Sequence, residues 1–144
     1  MFSKACQYGI KAAIFIAVNS QENRRVNLKV IAKEISSPVA FTAKVLQILT
    51  KNGIIDSVKG AAGGFEIKND QLDKIMLSDI VTSIDGDTVY RSCGLGYGNC
   101  SEITPCAVHF QFKHIREELK VMLETTSLLD LSNNINDELT FLKR

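Results

Sequence analysis

The order of segments between residues 28 and 67 constrains the fold more than any other feature of the sequence. Four apolar residues recur at the i, i+3, i+4, i+7 spacing of a short amphipathic helix: Leu28, Ile31, Ala32 and Ile35. The next three residues, Ser36-Ser37-Pro38, interrupt this helix, and Ser37 and Pro38 suit the N-cap and first position of another. The second helix is predicted to run to about Asn52, where Gly53 supplies a left-handed C-cap.

A two-stranded hairpin is predicted directly after these helices. Residues 54–58 have strand character and residues 65–67 alternate apolar and polar side chains, with the glycine-rich run 59–64 between them. Upstream, Ser3 is expected to cap a first helix that is apolar nearly all round and ends at about Asn19, with Cys6 on its buried stripe. Helix, short helix, three-residue turn, helix and hairpin in this order predict a mainly α fold of the winged helix-turn-helix class.

The distribution of charge indicates which half of the chain meets a polyanion. Residues 1–68 hold ten Lys or Arg against four Asp or Glu, whereas residues 69–144 hold seven against twelve. Because a basic surface attracts phosphates, we expect the winged half to bind double-stranded DNA. Lysines suit phosphates and base edges, and small apolar residues suit thymine methyl groups. The predicted DNA-contacting residues are Ser37, Val39, Ala40, Ala43 and Lys44 around the reading helix and Lys59 and Gly60 in the wing.

Several other functional classes are not expected. The longest apolar run spans residues 12–18, far short of the roughly 20 residues that cross a bilayer. The N-terminal residues lack the basic, apolar and cleavage-site pattern of an export signal, so the expected location is the cytoplasm. The sequence has no phosphate-binding loop, no paired catalytic carboxylates and no nucleophile-base arrangement outside its cysteine-rich segment, so an enzyme is not expected.

The second half is predicted to contain a helix that joins two copies of the chain. Ser78 is expected to cap a short helix over residues 79–84, and residues 87–104 show no usable periodicity. Thr104-Pro105 then indicates the start of a long helix that ends at about Thr126. A single apolar seam on this helix needs a partner, either another part of the same chain or, as we prefer, the same helix of a second copy; the latter predicts a homodimer and a near-palindromic DNA site. The seam has the 4, 3, 4, 3 spacing of a coiled coil and consists of Val108, Phe112, Ile115, Leu119 and Met122.

Three regions are therefore predicted. Residues 1–69 form a winged helix-turn-helix DNA-binding domain, and residues 70–103 hold a short helix and a cysteine-rich sensor loop. Residues 104–144 supply the dimerisation helix and a C-terminal tail. Within the tail we expect a short segment at residues 128–131 and a terminal helix over residues 135–142.

Three cysteines and a histidine lie close together before and at the start of the long helix. Cys93, Cys100 and Cys106 fall within 14 residues of a segment that also holds three glycines, and His109 follows Cys106 by three positions. In a reducing compartment such thiols serve as metal ligands or redox groups more often than as disulfides. Three thiolates and one imidazole suit a tetrahedral zinc ion or a 2Fe–2S centre. The residues leave open a zinc-stabilised or metal-free adaptor that uses its cysteines as a staple or a thiol switch.

Five stretches of the chain carry the motifs of a known family. They are Tyr8-Gly9-Ile10, Ile31-Ala32, the wing segment over residues 51–65, residues 77–81, and the cysteine loop with the long helix after it. In these stretches the chain resembles the bacterial winged-helix iron-sulfur transcription regulators of the IscR/NsrR family. The resemblance covers nearly the whole chain and is most specific in the wing. It implies a homodimeric DNA-binding regulator that senses redox state, nitric oxide or iron-sulfur status.

The same resemblance implies a ligand set for an iron-sulfur cluster, 2Fe–2S rather than 4Fe–4S. By it, Cys93, Cys100 and Cys106 are the cluster thiolates, and His109 stands where the family has a fourth ligand. Members of the family also use a residue near the N-terminus of the partner subunit; Gln7 lies at about that place and is a poor ligand, so His109 is preferred. One departure is visible, since six residues separate Cys93 from Cys100 and the family pattern has five.

Overall fold

The computed structural model describes residues 1–138 and 140–143. In this part of the chain no helix has the length and apolar character that a membrane span requires. The fold is mainly helical with one antiparallel pair of strands, as predicted. Its elements are α1 (Lys4–Gln21), α2 (Leu28–Glu34), α3 (Val39–Lys51), β1 (Asp56–Val58), β2 (Gly64–Glu66), α4 (Leu77–Asp85), α5 (Thr88–Arg91), α6 (His109–Thr125) and α7 (Leu128–Asn136).

Local sequence explains where the helices of the winged half begin and end. The Ser3 hydroxyl accepts a hydrogen bond from the N–H of Cys6 at 3.0 Å and begins α1, as predicted. The Asn27 side chain accepts the N–H of Val30 at 3.0 Å and caps α2 in the same way. Gly53 follows α3 with a positive φ of 72°, which confirms the predicted left-handed C-cap.

The predicted N-caps of α3 and α4 are wrong. Pro38 is itself the N-cap residue of α3, with its carbonyl accepting the N–H of Thr42 at 2.9 Å; Ser37 lies one position earlier and makes no capping hydrogen bond. Helix α4 begins before Ser78, since the Asp79 carboxylate reaches back and accepts the N–H of Met76 at 2.8 Å. A side chain in the first turn therefore caps α4 in place of the expected serine.

The wing is a short hairpin that a third segment braces. Strands β1 and β2 pair antiparallel over three residues each, as predicted. Phe65 also exchanges both backbone hydrogen bonds with Val26, so the segment before α2 lies along the hairpin. The Arg25 side chain donates to the Glu66 carboxylate at 3.0 Å and to the Ala62 carbonyl at 3.4 Å. These contacts fix the wing relative to the helix-turn-helix.

One hydrophobic core runs through all three predicted regions. Helix α1 lies at its centre and packs against α3, α4 and α7. Side chains with no exposed surface come from α3 (Leu46), α4 (Ile80), the end of α6 (Leu123) and the start of α7 (Leu128). Because burial of apolar surface is the main favourable term in folding, these elements stabilise one another. The three regions share this core, so the predicted boundaries at residues 69/70 and 103/104 remain a prediction about which function each region carries.

Residues 87–108 contain structure that periodicity did not predict. Helix α5 is four residues long, too short to show a helical repeat. Helix α6 begins at His109 with Val108 as its N-cap, so the predicted start at Thr104 is wrong. The Ser101 hydroxyl accepts the N–H groups of Ile103 and Thr104, each at 3.2 Å, and this local turn competes with a helix.

A single helix, α7, replaces the two segments predicted in the tail. Its capping box is complete, with the Asp130 N–H donating to the Ser127 hydroxyl at 3.1 Å and the Ser127 N–H donating to the Asp130 carboxylate at 3.0 Å. The Ser127 N–H and the Ser127 hydroxyl both donate to the Asp130 carboxylate and hold its pKa below the ordinary value. The helix ends at Asn136, so a terminal helix beginning at residue 135 is wrong, and Leu139 lies outside the described residues.

Candidate metal centre and nucleic-acid interface

The cysteine loop folds back on itself between α5 and the turn that precedes α6. The N–H of Cys93 donates to the Gly98 carbonyl at 2.7 Å, and the N–H of Cys100 donates to the Arg91 carbonyl at 2.7 Å. These bonds close a small hairpin-like loop with one cysteine at each end. The turn over residues 101–108 then returns Cys106 to the same place.

Helix α6 holds this loop through two contacts. A Cβ atom at Gly94 would lie 2.7 Å from the Phe112 ring, so the ring packs directly against the loop backbone and residue 94 has no room for a side chain. The Lys113 ammonium hydrogen-bonds the Glu102 carboxylate. This contact lowers the pKa of Glu102 and raises the pKa of Lys113.

The four predicted ligands meet as two pairs around one cavity. The Cys93 and Cys106 sulfurs are 3.7 Å apart, and the Cys100 sulfur is 3.1 Å from Nδ1 of His109. All four side chains line a cavity of about 70 Å³. In the part of the chain that the structure describes, no three Cys, His, Asp or Glu side chains form a group that could hold a metal ion. The donors therefore lie as two pairs and do not form one tetrahedral site.

Two features of these donors suit the binding of a metal centre. The N–H groups of Tyr97 and Leu95 are directed at the Cys93 sulfur and hold the pKa of this thiol below its ordinary value. His109 is 2% exposed, and within the described residues its buried Nε2 has no hydrogen-bond partner. A buried polar atom without a partner costs free energy, and a ligand bound to this nitrogen would remove that cost. Soft thiolates and an imidazole match iron in chemistry.

A larger cavity of about 430 Å³ lies beside Cys100 and His109. Its wall includes Tyr90 and four cationic side chains, together with Glu102 and Glu117. The cations are Arg91, Lys113, Arg116 and Lys120. Neither Arg116 nor Tyr90 is among the predicted site residues, because a lone arginine or tyrosine outside a periodic motif carries no signal until the fold places it.

The remaining cysteine and histidine lie away from the loop donors. Cys6 has no exposed surface and belongs to the core, where burial, reinforced by the nearby Asp85 carboxylate, raises its pKa to about 12. His114 is exposed and lies 3.2 Å from the Glu118 carboxylate one turn along α6. Neither side chain lines the cavity of the four loop donors.

The predicted DNA-contacting residues surround the junction of reading helix and wing. Ala43 and Lys44 line one groove with Ser57 and Phe65, so α3 and the hairpin form a continuous surface. The exposed members of the predicted set are Val39, Ala40, Lys44, Lys59 and Gly60, and the half-buried members are Ser37 and Ala43. In the described part of the chain, neither lysine is within ion-pairing distance of a carboxylate.

Sequence comparison shows which family the chain belongs to. A family model described as Rrf2, iron-dependent transcriptional regulator, matches residues 2–134. The chain belongs to the Rrf2 family. It is 33% identical over 135 residues to an Aquifex aeolicus protein named as an HTH-type transcriptional regulator, with 92% of each chain covered. It is 27% identical over 128 residues to the HTH-type transcriptional regulator IscR of Klebsiella pneumoniae strain 342, covering 89% of this chain and 77% of the relative.

Solved Rrf2-like structures share the fold. The structure titled T. potens IscR superposes with a TM-score of 0.74 at 18% identity and covers 97% of this chain and 91% of its own. The CymR (YrzC) structure, titled the global cysteine regulator of B. subtilis, has a TM-score of 0.73 at 22% identity, covering 92% and 96%. The winged-helix fold is thereby confirmed, and the relatives are named transcriptional regulators and not enzymes, as expected. This Rrf2 protein is a DNA-binding transcriptional regulator.

The predicted dimer seam lies partly against the Rrf2 chain's own core. Phe112 packs on the loop, Leu119 is half-buried against the core, and Val108 precedes the helix as its N-cap. Ile115 is 53% exposed and Met122 is 44% exposed, although both are apolar. Within the monomer these two side chains have the least cover of the five.

Proposed function

We propose that this Rrf2 protein is a homodimeric transcription regulator that senses redox state, nitric oxide or iron-sulfur status through a 2Fe–2S cluster held by its cysteine loop. Cys93, Cys100, Cys106 and His109 are the proposed ligands. A cluster of this type supplies a one-electron redox couple when bound. The observation that carries the proposal is the pairing of the four donors around one cavity.

The pairing favours a two-iron centre over a single zinc ion. In a 2Fe–2S centre the four protein ligands divide two and two between the irons, whereas structural zinc draws all four to one point. Two thiolates on one tetrahedral metal, each bound at about 2.3 Å, lie about 3.8 Å apart. The 3.7 Å between the Cys93 and Cys106 sulfurs is close to that separation. Two separate donor pairs therefore suit a 2Fe–2S centre better than a single zinc ion.

The loop is connected to the reading elements through α6. Phe112 and Lys113 at the start of α6 contact the cysteine loop, and Leu123 near its end is buried in the core that α1 and α3 share. A change in the loop alters what the start of α6 packs against. Because packed helices have few alternative arrangements, such a change biases how the two winged halves of a dimer are held.

A second copy is the proposed occupant of the exposed α6 surface. Ile115 and Met122 are seven residues apart and therefore lie on one face of the helix. Pairing this face with its copy in a two-fold dimer would place two reading helices on one side, against two half-sites of a near-palindromic operator. The proposed contacts with DNA are those of Ser37, Val39, Ala40, Ala43, Lys44, Lys59 and Gly60.

Three measurements test the cluster and the DNA-binding interface. Protein purified without oxygen is expected to absorb visible light and to contain iron and sulfide. Random duplexes selected on this form and on the cluster-free form should yield an enriched site in at least one of them. In a dimer Lys59→Ala removes two phosphate contacts, so the slope of log affinity against log salt should fall by roughly 1.8. Lys120→Ala, on the acidic half, is the matched control and should leave the slope unchanged.

Three results would contradict the proposal. Colourless protein without iron would exclude the cluster. Absence of any enriched site and of any salt-dependent binding, in both forms, would exclude the proposed DNA-binding interface. Equal slopes for Lys59→Ala and Lys120→Ala would remove the wing from that interface.

A further inference from the structure

Arg116 differs in its contacts from the other cations beside the cysteine loop. Arg91, Lys113 and Lys120 each have a carboxylate within ion-pairing distance. Over residues 1–138 and 140–143, no carboxylate lies at that distance from Arg116. An arginine keeps its charge at every pH of interest, so a half-buried guanidinium without a carboxylate needs other acceptors.

The acceptors of Arg116 both belong to the cysteine loop. One amino group donates to the Cys100 sulfur at 2.9 Å, and the other donates to the Ser92 carbonyl at 3.4 Å. The planar guanidinium thus joins α6 to the first residue of the loop and to its second cysteine at once. Because the Ser92 carbonyl holds one amino group of the planar guanidinium, the other amino group of this fork approaches the Cys100 sulfur from a fixed direction.

Cys100 is the one loop thiol in the described chain to which a cationic side chain donates. Its other neighbour is Nδ1 of His109 at 3.1 Å. Cys93 accepts the N–H of Leu95 at 3.4 Å, and Cys106 faces the Cys93 sulfur. The two donor pairs therefore differ in charge environment, with the positive charge placed on the Cys100 and His109 side.

We propose that Arg116 is a positioning residue that orients the Cys100 thiolate and raises the reduction potential of the centre it helps to hold. The inference rests on the proposed function. Hydrogen bonds to ligating sulfurs are among the factors that set such potentials, and donors outside the ligand set orient the ligands. A permanent positive charge at 2.9 Å from one sulfur stabilises the reduced form, which carries one more electron.

Redox titration of the iron-loaded protein tests this role. Arg116→Gln removes the charge and the fork, and its midpoint potential should fall below that of the wild type. Arg116→Lys keeps the charge but loses the second anchored donor, so its potential should lie between the two. Lys120→Gln removes one charge from the same helix without touching a cysteine, and its shift should be the smallest of the three.

The outcomes separate the role of Arg116 from the proposed function. A Gln variant that keeps its iron and the wild-type potential contradicts the role of Arg116 and leaves the cluster in place. A shift equal to that of Lys120→Gln also contradicts it, because a general charge effect would then suffice. If the Gln variant purifies without iron while the Lys variant keeps it at a lowered potential, the role is supported. Wild-type protein without iron overturns the proposed function and this inference with it.

Discussion

The reading surface and the cysteine loop are positioned by different forces. Behind the reading helix, Val45, Leu46 and Leu49 are buried in the shared core, so the geometry of α3 follows from packing. The loop is held by a few backbone hydrogen bonds and by contacts from one face of α6. Packing over a large buried area resists local change, whereas a few bonds at the surface open at low cost. The cysteine loop, which is proposed to carry the signal, is therefore easier to deform than the reading helix, which is proposed to carry the sequence specificity.

Replacing a loop thiol is the strongest test of this contrast, because it should remove one function completely and spare the fold. Cys93→Ser, Cys100→Ser or Cys106→Ser exchanges a soft thiolate for a hard oxygen, so iron and colour should be lost or sharply reduced. The circular dichroism and the melting temperature of each cluster-free variant should match those of the cluster-free wild type. Cys6→Ala is the control and should keep its colour. A Cys100→Ser protein with its full visible spectrum and iron content would show that the loop is not the site.

The exposed face of α6 gives the second largest expected effect. Ile115→Asp would bury a carboxylate in the proposed dimer interface, and sedimentation should then show monomers in place of dimers. Val121→Asp makes the same change at an apolar residue that is 61% exposed but lies on a different face of the helix. It should leave the dimer intact. A monomeric wild type, or equal dissociation in the two variants, would contradict the seam.

Leu123 tests whether the end of α6 belongs to the core of the winged half. Its side chain has no exposed surface, so Leu123→Ala should lower the free energy of unfolding by about 2–5 kcal/mol in denaturant titration. Ile103→Ala, at a residue 92% exposed in the turn before α6, should change it by less than about 0.5 kcal/mol. Two separate unfolding transitions, with Leu123→Ala moving one of them alone, would argue for independent units.

The smallest expected effect concerns the α7 capping box. Ser127→Ala should cost about 1 kcal/mol at neutral pH, because the N–H of Asp130 loses its acceptor and the Asp130 carboxylate loses the hydroxyl that donates to it at 2.8 Å. The pKa of Asp130 is lowered in the folded chain, so its contribution is present above its unfolded pKa and is lost as pH falls through the folded value. The difference between wild type and variant should therefore shrink in acid. A cost that stays constant down to pH 2 would show that the carboxylate takes no part.

Sequence periodicity predicted the elements that are stabilised by a buried face. Leu28 and Ile31 mark α2, and the wing follows from strand residues separated by glycines, because burial imposes the repeat that the sequence displays. The predicted start of α6 at Thr104 is wrong, since the helix begins at His109. In that segment the backbone conformation is set by local hydrogen bonds to the Ser101 hydroxyl, and such bonds leave no apolar repeat in the sequence.

The candidate site was predictable in its residue types and not in its arrangement. Three cysteines and a histidine within a short segment indicate ligands in any fold. Their division into two pairs depends on the turn over residues 101–108 and on the close approach of Phe112 to Gly94. Arg116 lies beside the loop because the packing of Leu119 and Leu123 sets which face of α6 is directed toward it. The spacing of residues in the sequence predicts neither the division of the donors into two pairs nor the position of Arg116.

The burial of Cys6 has a practical consequence for studies of this protein in solution. A thiol with no exposed surface and a pKa of about 12 is unreactive toward polar alkylating reagents at neutral pH. In the cluster-free chain, a polar thiol-directed fluorophore or spin label therefore reports on the loop, where Cys100 and Cys106 are half-buried, without mutation of the fourth cysteine. Modification of Cys6 requires α1 to leave its neighbours. The labelling rate of Cys6 should therefore report how often the core opens, in the same sample and by the same chemistry as the loop.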